Sequence, residues 1–363
     1  MENTDKANQH YVPKFYLRGF SFQKNKKEIG IYNLNKMFFF QRAKLKSQAS
    51  KKFFYGKDGQ IEDFFSKIET LIAPIIRNII ENEIIPNRYS SYHFEILMFF
   101  ILMEQRNPMH IENMRNSLLA EHNKIMKVDP TFLSQNDLEV FQKFISNENL
   151  QRLVLKESIN ITRLNMDLDF KILKNNTKSP FITSDFPVIR YNQAMEKEKW
   201  NMSSYNGNGW IGQQFLFPLN DKYYLFFFDS NIYKIGNKKE RLVEINDLTS
   251  INSLNILQFL NCSQNIYFNE KATDNYIKEL DRLSSKFEKG NKIILREYKT
   301  LNSNQEIDEN SIVNAITKSH IEIKLEIEKI KIHSKGKFLN LDNRFVQFRK
   351  QSEIVYHQIK NNS

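Results

Sequence analysis

The sequence predicts an α+β fold in which helices pack against a mixed, mostly antiparallel sheet in the middle third of the chain. Three observations support this. Apolar residues recur at helical spacing on both sides of the middle third. Within it, short aromatic and β-branched runs alternate with Asn, Gly, Lys and Pro, as strands alternate with turns. Hydrophobic residues make up 40% of the 363 positions, among them 30 Phe, which is ample for a core.

The N-terminal region predicts a hairpin and then a long helix. Residues 30–34 and 37–40 are two apolar runs around a turn that contains Asn, which indicates paired strands. From residue 61 to residue 80 the isoleucines and phenylalanines follow helical spacing. Pro74 lies inside this helix and predicts a kink.

A second long helix follows a polar capping site. Ser90 or Ser91 can accept a hydrogen bond from the first turn of that helix. We expect the helix to continue past Pro108 with a bend, towards Lys124. Further helices are predicted over residues 137–147, 150–155, 248–264 and 274–287, and strands over residues 167–173, 181–191, 214–219, 223–229 and 266–268.

The domain organisation predicted from the sequence is one core with an extension. The chain is longer than most single domains, but no linker rich in Gly, Pro or Ser marks a boundary. We therefore predict a single α+β core domain over residues 1–300. Residues 312–332 alternate charged and aliphatic side chains in a helix-like way, and the end of the chain is polar and basic. Residues 301–363 are thus predicted to form a helical, basic C-terminal extension.

The overall charge indicates a polyanionic partner. The chain has 53 Lys and Arg against 42 Asp and Glu, a net charge of +11, which suits nucleic acid. The sequence is also crowded with Asn, Ile, Lys and Phe, which an AT-rich coding sequence over-uses. Genomic bias is therefore a second explanation for part of the charge.

The sequence favours a reducing, cytoplasmic setting without a membrane span. Cys262 is the only cysteine, which excludes an intrachain disulfide and a zinc site with several cysteines. The N-terminus lacks the basic and apolar regions of a secretory signal. The most apolar run, residues 96–103, is much shorter than the roughly 20 residues that span a bilayer.

Several common enzyme signatures are absent from the sequence. It has no His-Glu-x-x-His, no glycine-rich phosphate loop, no dinucleotide-binding Gly-x-Gly-x-x-Gly and no Gly-x-Ser-x-Gly. The enzyme classes that carry these motifs are therefore disfavoured.

Candidate polar residues begin near the N-terminus. His10 precedes an extended Val12-Pro13 step, and its imidazole could act as a general base or a metal ligand. The alternative is a buried histidine whose ring nitrogens bond backbone groups.

Glu62 and Glu69 are seven residues apart on one predicted helix and lie on nearly the same face. They could share a cation there. The alternative is a solvated stripe of charge. We take Glu69 as the one drawn inward.

A basic candidate follows the apolar run of the second long helix. Arg106, in Gln105-Arg106-Asn107-Pro108, needs an anionic partner if it is buried, because its charge cannot be shed. A protein carboxylate such as Glu69 would make the pair structural. A phosphate or carboxylate of a substrate would make it functional.

A third polar cluster, Thr183-Ser184-Asp185, ends an apolar strand. Strand ends are places where a rigid scaffold presents chemistry. Asp185 could ligate a divalent cation or orient His10, with Ser184 as a hydrogen-bond donor. The alternative is a turn in which these residues cap a helix or bond their own backbone.

These motifs resemble, in order and rough spacing, the bacterial family catalogued as domain of unknown function 4238. The specific pieces are His10-Tyr11-Val12-Pro13 and Ile182-Thr183-Ser184-Asp185-Phe186-Pro187-Val188; weaker ones are Glu69, Gln105-Arg106-Asn107-Pro108, Phe217-Pro218-Leu219 and Leu254-Asn255-Ile256-Leu257-Gln258. The resemblance covers about residues 8–270. Phe186 stands where a small polar residue is expected and Asn107 where Thr is expected. The resemblance implies kinship and leaves the activity open.

The leading hypothesis from the sequence is a metal-dependent nuclease or phosphodiesterase acting on nucleic acid or nucleotides, with phage defence as one setting for it. The expected catalytic residues are His10, Glu69, Arg106 and Asp185, and the expected substrate-binding residues are Gln105, Ser184 and Asn255. Asp185 and Glu69 would hold a divalent cation, Mg²⁺ or Mn²⁺, that activates water. Arg106 would stabilise charge on a phosphate.

The alternative hypothesis is non-catalytic. The same residues would form a buried network that fixes the fold of a module binding nucleic acid or another protein. A third hypothesis is a small-molecule sensor in which Arg106 holds a carboxylate. An open pocket around the four charged residues favours the enzyme, whereas a filled core favours the scaffold.

Overall fold

The computed structural model of the protein confirms the α+β class, with helices packed on a mixed, mostly antiparallel sheet. It describes residues 8–23, 25–198, 206–290, 293–301, 307–318, 321–333 and 347–361. Within these ranges, no helix is both long enough and apolar enough to cross a membrane.

The N-terminal region folds into short strands around the predicted hairpin. Its elements are, in order, β1 (Asn8–His10), α1 (Lys14–Leu17), β2 (Glu28–Asn33), β3 (Phe38–Lys44) and β4 (Ser50–Lys52). β2 and β3 pair in antiparallel fashion, which confirms the hairpin, and β4 returns to pair with β1. This second pairing holds the backbone of His10 opposite Ser50.

Two long helices follow, α2 (Gln60–Asn82) and α3 (Ser91–Gln105), as the spacing of apolar residues predicts. α2 keeps Pro74 in its interior. α3 begins with the predicted cap, because the Ser90 hydroxyl oxygen accepts a hydrogen bond from the backbone N–H of His93.

The expected continuation of α3 past Pro108 is wrong. α3 ends at Gln105, and a separate helix, α4 (Pro108–Val128), begins at the proline. Asn107 has the extended backbone that a following proline favours, and its side chain caps α4 by accepting a hydrogen bond from the N–H of Met109. Pro108 occupies the first turn, where a missing N–H costs nothing. The next predicted helices are α5 (Gln135–Phe144) and α6 (Asn147–Asn165).

The middle third supplies the strands of the main sheet. The elements from residue 169 onward are β5 (Asp169–Asn175), β6 (Thr183–Ser184), β7 (Ile189–Tyr191), α7 (Gln193–Lys197), β8 (Gln214–Pro218), β9 (Tyr223–Phe228), β10 (Tyr233–Ile235), β11 (Leu242–Ile245), α8 (Leu248–Asn261), β12 (Asn265–Phe268) and α9 (Asp274–Ser284). The main sheet has the order β11-β5-β9-β8-β7. Only the pair of β11 and β5 is parallel in this sheet.

Residues 181–191, expected as one strand, form two strands in different sheets. β7 lies at the edge of the main sheet, whereas β6 pairs with β12 in a second sheet of order β3-β2-β12-β6. Pro187 lies between the two strands and lacks the N–H that a continuous ladder would need. The chain therefore passes from one sheet to the other at the Asp185-Phe186-Pro187 step.

The main sheet separates two hydrophobic cores. On β9, Tyr224 and Phe226 face a core shared with α8 and α9, whereas Leu225 and Phe227 face a core shared with α2 and α3. Because both faces of this strand are buried, its sequence is apolar throughout instead of alternating.

The C-terminal region departs from the expected helical extension. β13 (Ile293–Leu301) and β14 (Ile307–Lys318) form an antiparallel hairpin, and β15 (Ile330–Ile332) pairs with β10. The helix expected over residues 312–332 is therefore wrong, because pairing between strands satisfies the backbone groups that a helix would satisfy internally. Within the described part of residues 301–363, the helix is α10 (Lys350–Asn361).

Parts of the chain beyond residue 300 contribute to the core. Ile321, Leu325 and Ile327 are buried in the core that contains α8. The buried Arg349 side chain donates hydrogen bonds to the Asp167 carboxylate. The boundary at residue 300 stays a prediction.

Candidate functional site

The buried guanidinium of Arg106 is bound on all sides by protein groups. Its Nη1 and Nη2 donate to Oε1 of Glu69 at 3.1 and 3.2 Å, and its Nε donates to the carbonyl of Tyr11 at 3.1 Å. The guanidinium carbon lies 4.4 Å from the centre of the Phe65 ring, a cation–π contact. The side chain of Arg106 is 2% exposed and that of Glu69 is 26% exposed. Of the two partners considered from the sequence, the structure shows the protein carboxylate.

A second buried ion pair lies next to this one, and sequence reasoning missed it. Glu104, near the end of α3, receives two hydrogen bonds of 2.5 Å from Arg190 of β7. Gln105 Nε2 also donates to Glu104, at 3.2 Å, and Arg190 Nη1 donates to Asn208 Oδ1 at 2.6 Å. The available signal was a glutamate directly after the most apolar run of the chain, where a buried carboxylate needs a cation.

The His10 side chain, on β1, faces a backbone carbonyl of the segment between β3 and β4. Its Nε2 lies 3.1 Å from the carbonyl oxygen of Lys46, and the residue is buried. Burial, with the nearby charges of Lys14 and Arg106 adding to it, lowers the pKa of His10 to about 4. The ring is therefore neutral at pH 7, and this geometry matches the alternative in which a buried histidine bonds the backbone.

The carboxylate of Asp185 binds three consecutive backbone N–H groups. Oδ1 accepts from Ser263 at 2.8 Å, and Oδ2 accepts from Gln264 at 2.9 Å and from Asn265 at 3.0 Å. Asp185 thus joins the end of β6 to the loop between α8 and β12. Burial raises its pKa to about 6, although the three N–H groups act in the opposite direction.

A row of amide side chains on α8 binds the irregular segment around β6. Asn255 Oδ1 accepts from the N–H of Ile182 at 3.1 Å, and Asn255 Nδ2 donates to the Pro180 carbonyl at 2.9 Å. Gln258 Oε1 accepts from the Ser184 hydroxyl at 2.7 Å. Farther along the helix, Asn261 donates to two backbone carbonyls, those of Phe186 and Val188. These amides supply the partners that backbone outside a regular ladder would otherwise lack.

The spacing of these amides was a usable signal. Asn255, Gln258 and Asn261 recur every third residue in the second half of α8, residues 254–261, which is otherwise apolar, so they lie towards one side of the helix. Sequence reasoning singled out Asn255 and missed the roles of Gln258 and Asn261. The substrate-binding roles expected for Gln105, Ser184 and Asn255 stay predictions.

The four expected catalytic residues meet around the end of α3 only in part. Arg106 contacts Glu69 directly. It also donates a hydrogen bond to the backbone carbonyl of Tyr11, the neighbour of His10 in the chain. Asn107 Nδ2 donates to the backbone carbonyl of Asp185 at 2.7 Å, so the Asp185 motif lies next to the end of α3. The Asp185 carboxylate itself points to the loop after α8. The catalytic roles of the four residues stay predictions.

Protein groups already bind some of the carboxylate oxygens of the two expected metal ligands. Asp185 uses both carboxylate oxygens on backbone N–H groups, and Glu69 pairs with Arg106. Nowhere in the described ranges do three or more His, Cys, Asp or Glu side chains cluster so that they could hold a metal ion. Asp185 is buried with both carboxylate oxygens bound to backbone N–H groups, whereas Glu69 contacts Arg106 through Oε1 and is 26% exposed. The divalent cation expected from the sequence stays a prediction.

The positive charge of the chain is concentrated near its N-terminus, which sequence reasoning also missed. Residues 8–57, here called the basic segment, contain twelve Lys and Arg and one acidic residue, Glu28, a net charge of +11. The Lys and Arg side chains that the structure describes in this segment are all exposed. Counting charge along the chain, instead of over its whole length, would have found this segment.

We expect acid to destabilise the fold through two buried histidines. Burial lowers the pKa of both His10 and His93 to about 4. In the unfolded chain a histidine titrates near 6.5, so the stabilisation is complete above about pH 6.5 and is lost as the pH falls towards 4. Replacing His93 with Asn, which keeps an acceptor for the Tyr89 N–H, should remove about 2 kcal/mol of this pH dependence.

The measurement is the urea midpoint of wild type and His93→Asn at about pH 7 and about pH 4.5. Asp185 acts in the opposite sense, because its raised pKa favours the folded state as the pH falls. Its effect is common to both proteins and cancels in the comparison. An equal drop in both proteins would contradict the assignment to His93.

Comparison with known proteins identifies one family. The sequence model described as protein of unknown function (DUF4238) matches residues 8–272. No curated protein and no solved structure shows a significant match.

Proposed function

This chain belongs to the DUF4238 family of proteins of unknown function, and we propose that it is a non-catalytic nucleic-acid-binding protein. In this proposal the basic segment contacts the phosphate backbone. The polar motifs around His10, Arg106 and Asp185 hold the fold in shape.

The distribution of charge is the observation that carries this proposal. The basic segment accounts for the whole net charge of +11, because the other residues contain 41 Lys and Arg and 41 Asp and Glu. Coding bias raises the content of lysine along a whole chain and does not remove acidic residues from one segment. An exposed cationic surface of this kind is the electrostatic footprint of a nucleic-acid-binding protein.

The fold brings distant parts of the basic segment together. β1 pairs with β4, which places Lys51 and Lys52 beside Gln9 and Asn8. Between β3 and β4, the N–H of Leu45 donates to the carbonyl of Lys27 at 2.9 Å. The second contact holds Lys27 beside the stretch that carries Lys44 and Lys46.

The contacts of the polar motifs support a structural role for them. The groups of Arg106 and Asp185 that could engage a phosphate or a metal are bound to protein atoms at hydrogen-bond distance. Buried networks of this kind leave little to offer a ligand and are costly to break. The protein-binding variant of the proposal has no comparable observation in its favour.

Neutralising part of the basic segment should weaken nucleic-acid binding and lower its dependence on salt. We expect wild type to lose about 10³- to 10⁵-fold in affinity between about 50 and 200 mM salt, the range for about six to ten neutralised phosphates. Changing Lys44, Lys46, Lys51 and Lys52 to Gln should lower the slope of log affinity against log salt by about 4. The measurement is fluorescence anisotropy with labelled DNA and RNA.

A matched control carries four exposed lysines outside the segment, Lys67, Lys127, Lys156 and Lys234, changed to Gln. This variant removes the same charge and should keep the wild-type slope. If both variants lose the same affinity, the effect depends only on net charge and the basic segment has no special role. If wild type does not bind nucleic acid at low salt, the proposal is overturned.

The nuclease hypothesis is tested with the same substrates. Labelled single- and double-stranded DNA and RNA are incubated with Mg²⁺, Mn²⁺ or EDTA, and we expect binding without cleavage. Metal-dependent cleavage that disappears in folded Asp185→Ala and His10→Ala variants would replace the binding proposal with an enzymatic one.

A further inference from the structure

Two aromatic side chains of the basic segment are exposed side by side. Phe38 is 56% exposed and Phe40 is 48% exposed. Their ring centroids are 6.2 Å apart and their planes differ by 16°. Both lie on β3, an edge strand of its sheet, where alternate residues share one face. Large aromatic side chains left together at a surface commonly mark a binding site.

The exposure of these rings is a consequence of a well-defined register. Phe39, between them, points to the other face and stacks on Phe268 with centroids 5.1 Å apart. β3 is paired with β2 through Phe38 opposite Asn33 and Phe40 opposite Ile31. The strand is therefore anchored on its inner face, and the two outer rings are presented at a fixed spacing.

The charge around the rings indicates the chemistry of their partner. Lys36 precedes the pair, and Arg42 and Lys44 follow it, all with exposed side chains. The one acidic residue of the segment, Glu28, lies 3.7 Å from Arg42 in an ion pair. Parallel aromatic faces within a cationic surface suit a polyanion that carries its own flat rings, which describes the bases and phosphates of a nucleic acid.

We propose that Phe38 and Phe40 form a stacking platform for unpaired bases, so that the ligand of the basic segment is single-stranded nucleic acid. This inference rests on the proposed function. In a duplex the bases are stacked on one another and do not offer their faces to rings at a sheet edge. In a single strand every base has a free face, and stacking on aromatic side chains tolerates any sequence.

The test compares a labelled single strand of about 20 nucleotides with the duplex of the same sequence, using the full chain. Phe38→Ala/Phe40→Ala should weaken single-strand binding at least 10-fold, on the order of the loss for two stacked bases. Duplex binding and its salt slope should be unchanged, because the cations remain. Phe38→Leu/Phe40→Leu, which keeps apolar side chains without aromatic faces, should show the same loss.

The matched control is Phe132→Ala/Phe144→Ala, two exposed phenylalanines outside the basic segment, which should bind like wild type. Circular dichroism checks that all variants are folded. Equal wild-type affinity for single strand and duplex, or full binding by the Leu pair, would overturn the platform and leave the proposed function standing.

If wild type binds neither single-stranded nor duplex nucleic acid, both proposals are overturned. A last experiment measures binding of wild type and the Ala pair to vesicles of neutral lipid with and without phosphatidylserine. Binding to the anionic vesicles that the Ala pair abolishes, with single-strand binding unchanged, would assign the rings to a membrane surface and overturn the platform.

Discussion

Replacing Arg106 with Met is expected to lower the free energy of unfolding by about 3 kcal/mol, the lower end of the cost of breaking a buried ion pair, because the remaining Glu69 is 26% exposed. The Met side chain fills a similar space but leaves the Glu69 carboxylate without its cation and the Tyr11 carbonyl without its donor. It also removes the cation–π contact with Phe65. Urea unfolding followed by circular dichroism measures the change.

The control for this prediction is Arg152→Met. Arg152 forms ion pairs with Asp58 and Glu148, but its side chain is 46% exposed. Exposed pairs contribute little, so we expect a loss below about 1 kcal/mol. A similar loss in both variants would mean that burial of the Arg106 pair has no special weight.

Replacing Asp185 with Ala should cost a comparable amount, about 3–4 kcal/mol. Three consecutive backbone N–H groups, those of Ser263, Gln264 and Asn265, would together lose the buried Asp185 carboxylate as their acceptor. Asp185→Asn keeps the shape and one carbonyl oxygen but turns an NH₂ group towards N–H donors, so it should recover only part of the loss. Urea unfolding measures the stability of each variant.

Hydrogen exchange separates a local effect from a global one. If Asp185 holds the loop after α8, the amides of residues 263–265 should exchange faster in Asp185→Asn than in wild type. The amides of α3 should change less between the two proteins. Unchanged exchange at these amides would contradict the assignment.

The two residues also distinguish a scaffold from a catalytic centre. Under conditions where Arg106→Met and Asp185→Asn remain folded, the proposed function predicts nucleic-acid binding within a few-fold of wild type. The basic segment is intact in both variants. A folded variant that has lost binding would move Arg106 or Asp185 from the scaffold into the site.

Local features were predictable from the sequence because they depend on neighbouring residues. The period of apolar residues predicted α2, and the choice of Ser90 or Ser91 as the cap predicted where α3 begins; the structure shows Ser90 as the cap. Alternating aromatic runs predicted the main sheet, and the His10 and Asp185 motifs indicated the family that the comparison confirms. Each of these signals spans a few residues to a few turns.

Long-range pairings were decided by the tertiary structure. The sequence left the partner of Arg106 open between a protein carboxylate and a ligand, and packing of α2 against α3 brings Glu69 to it. Glu104 and Arg190 are 86 residues apart, and nothing local marks them as partners. The division of residues 181–191 between two sheets likewise depends on β8 and β12, which lie elsewhere in the chain.

The sequence by itself determined the fold class, most element positions and the net charge of +11 carried by residues 8–57. Only the tertiary structure decided that the motif residues bind one another's backbone and side chains, and that Phe38 and Phe40 stay exposed on an edge strand. The physical reason is that periodicity and capping act within one element. Burial, pairing and the choice of hydrogen-bond partners depend on which elements pack together.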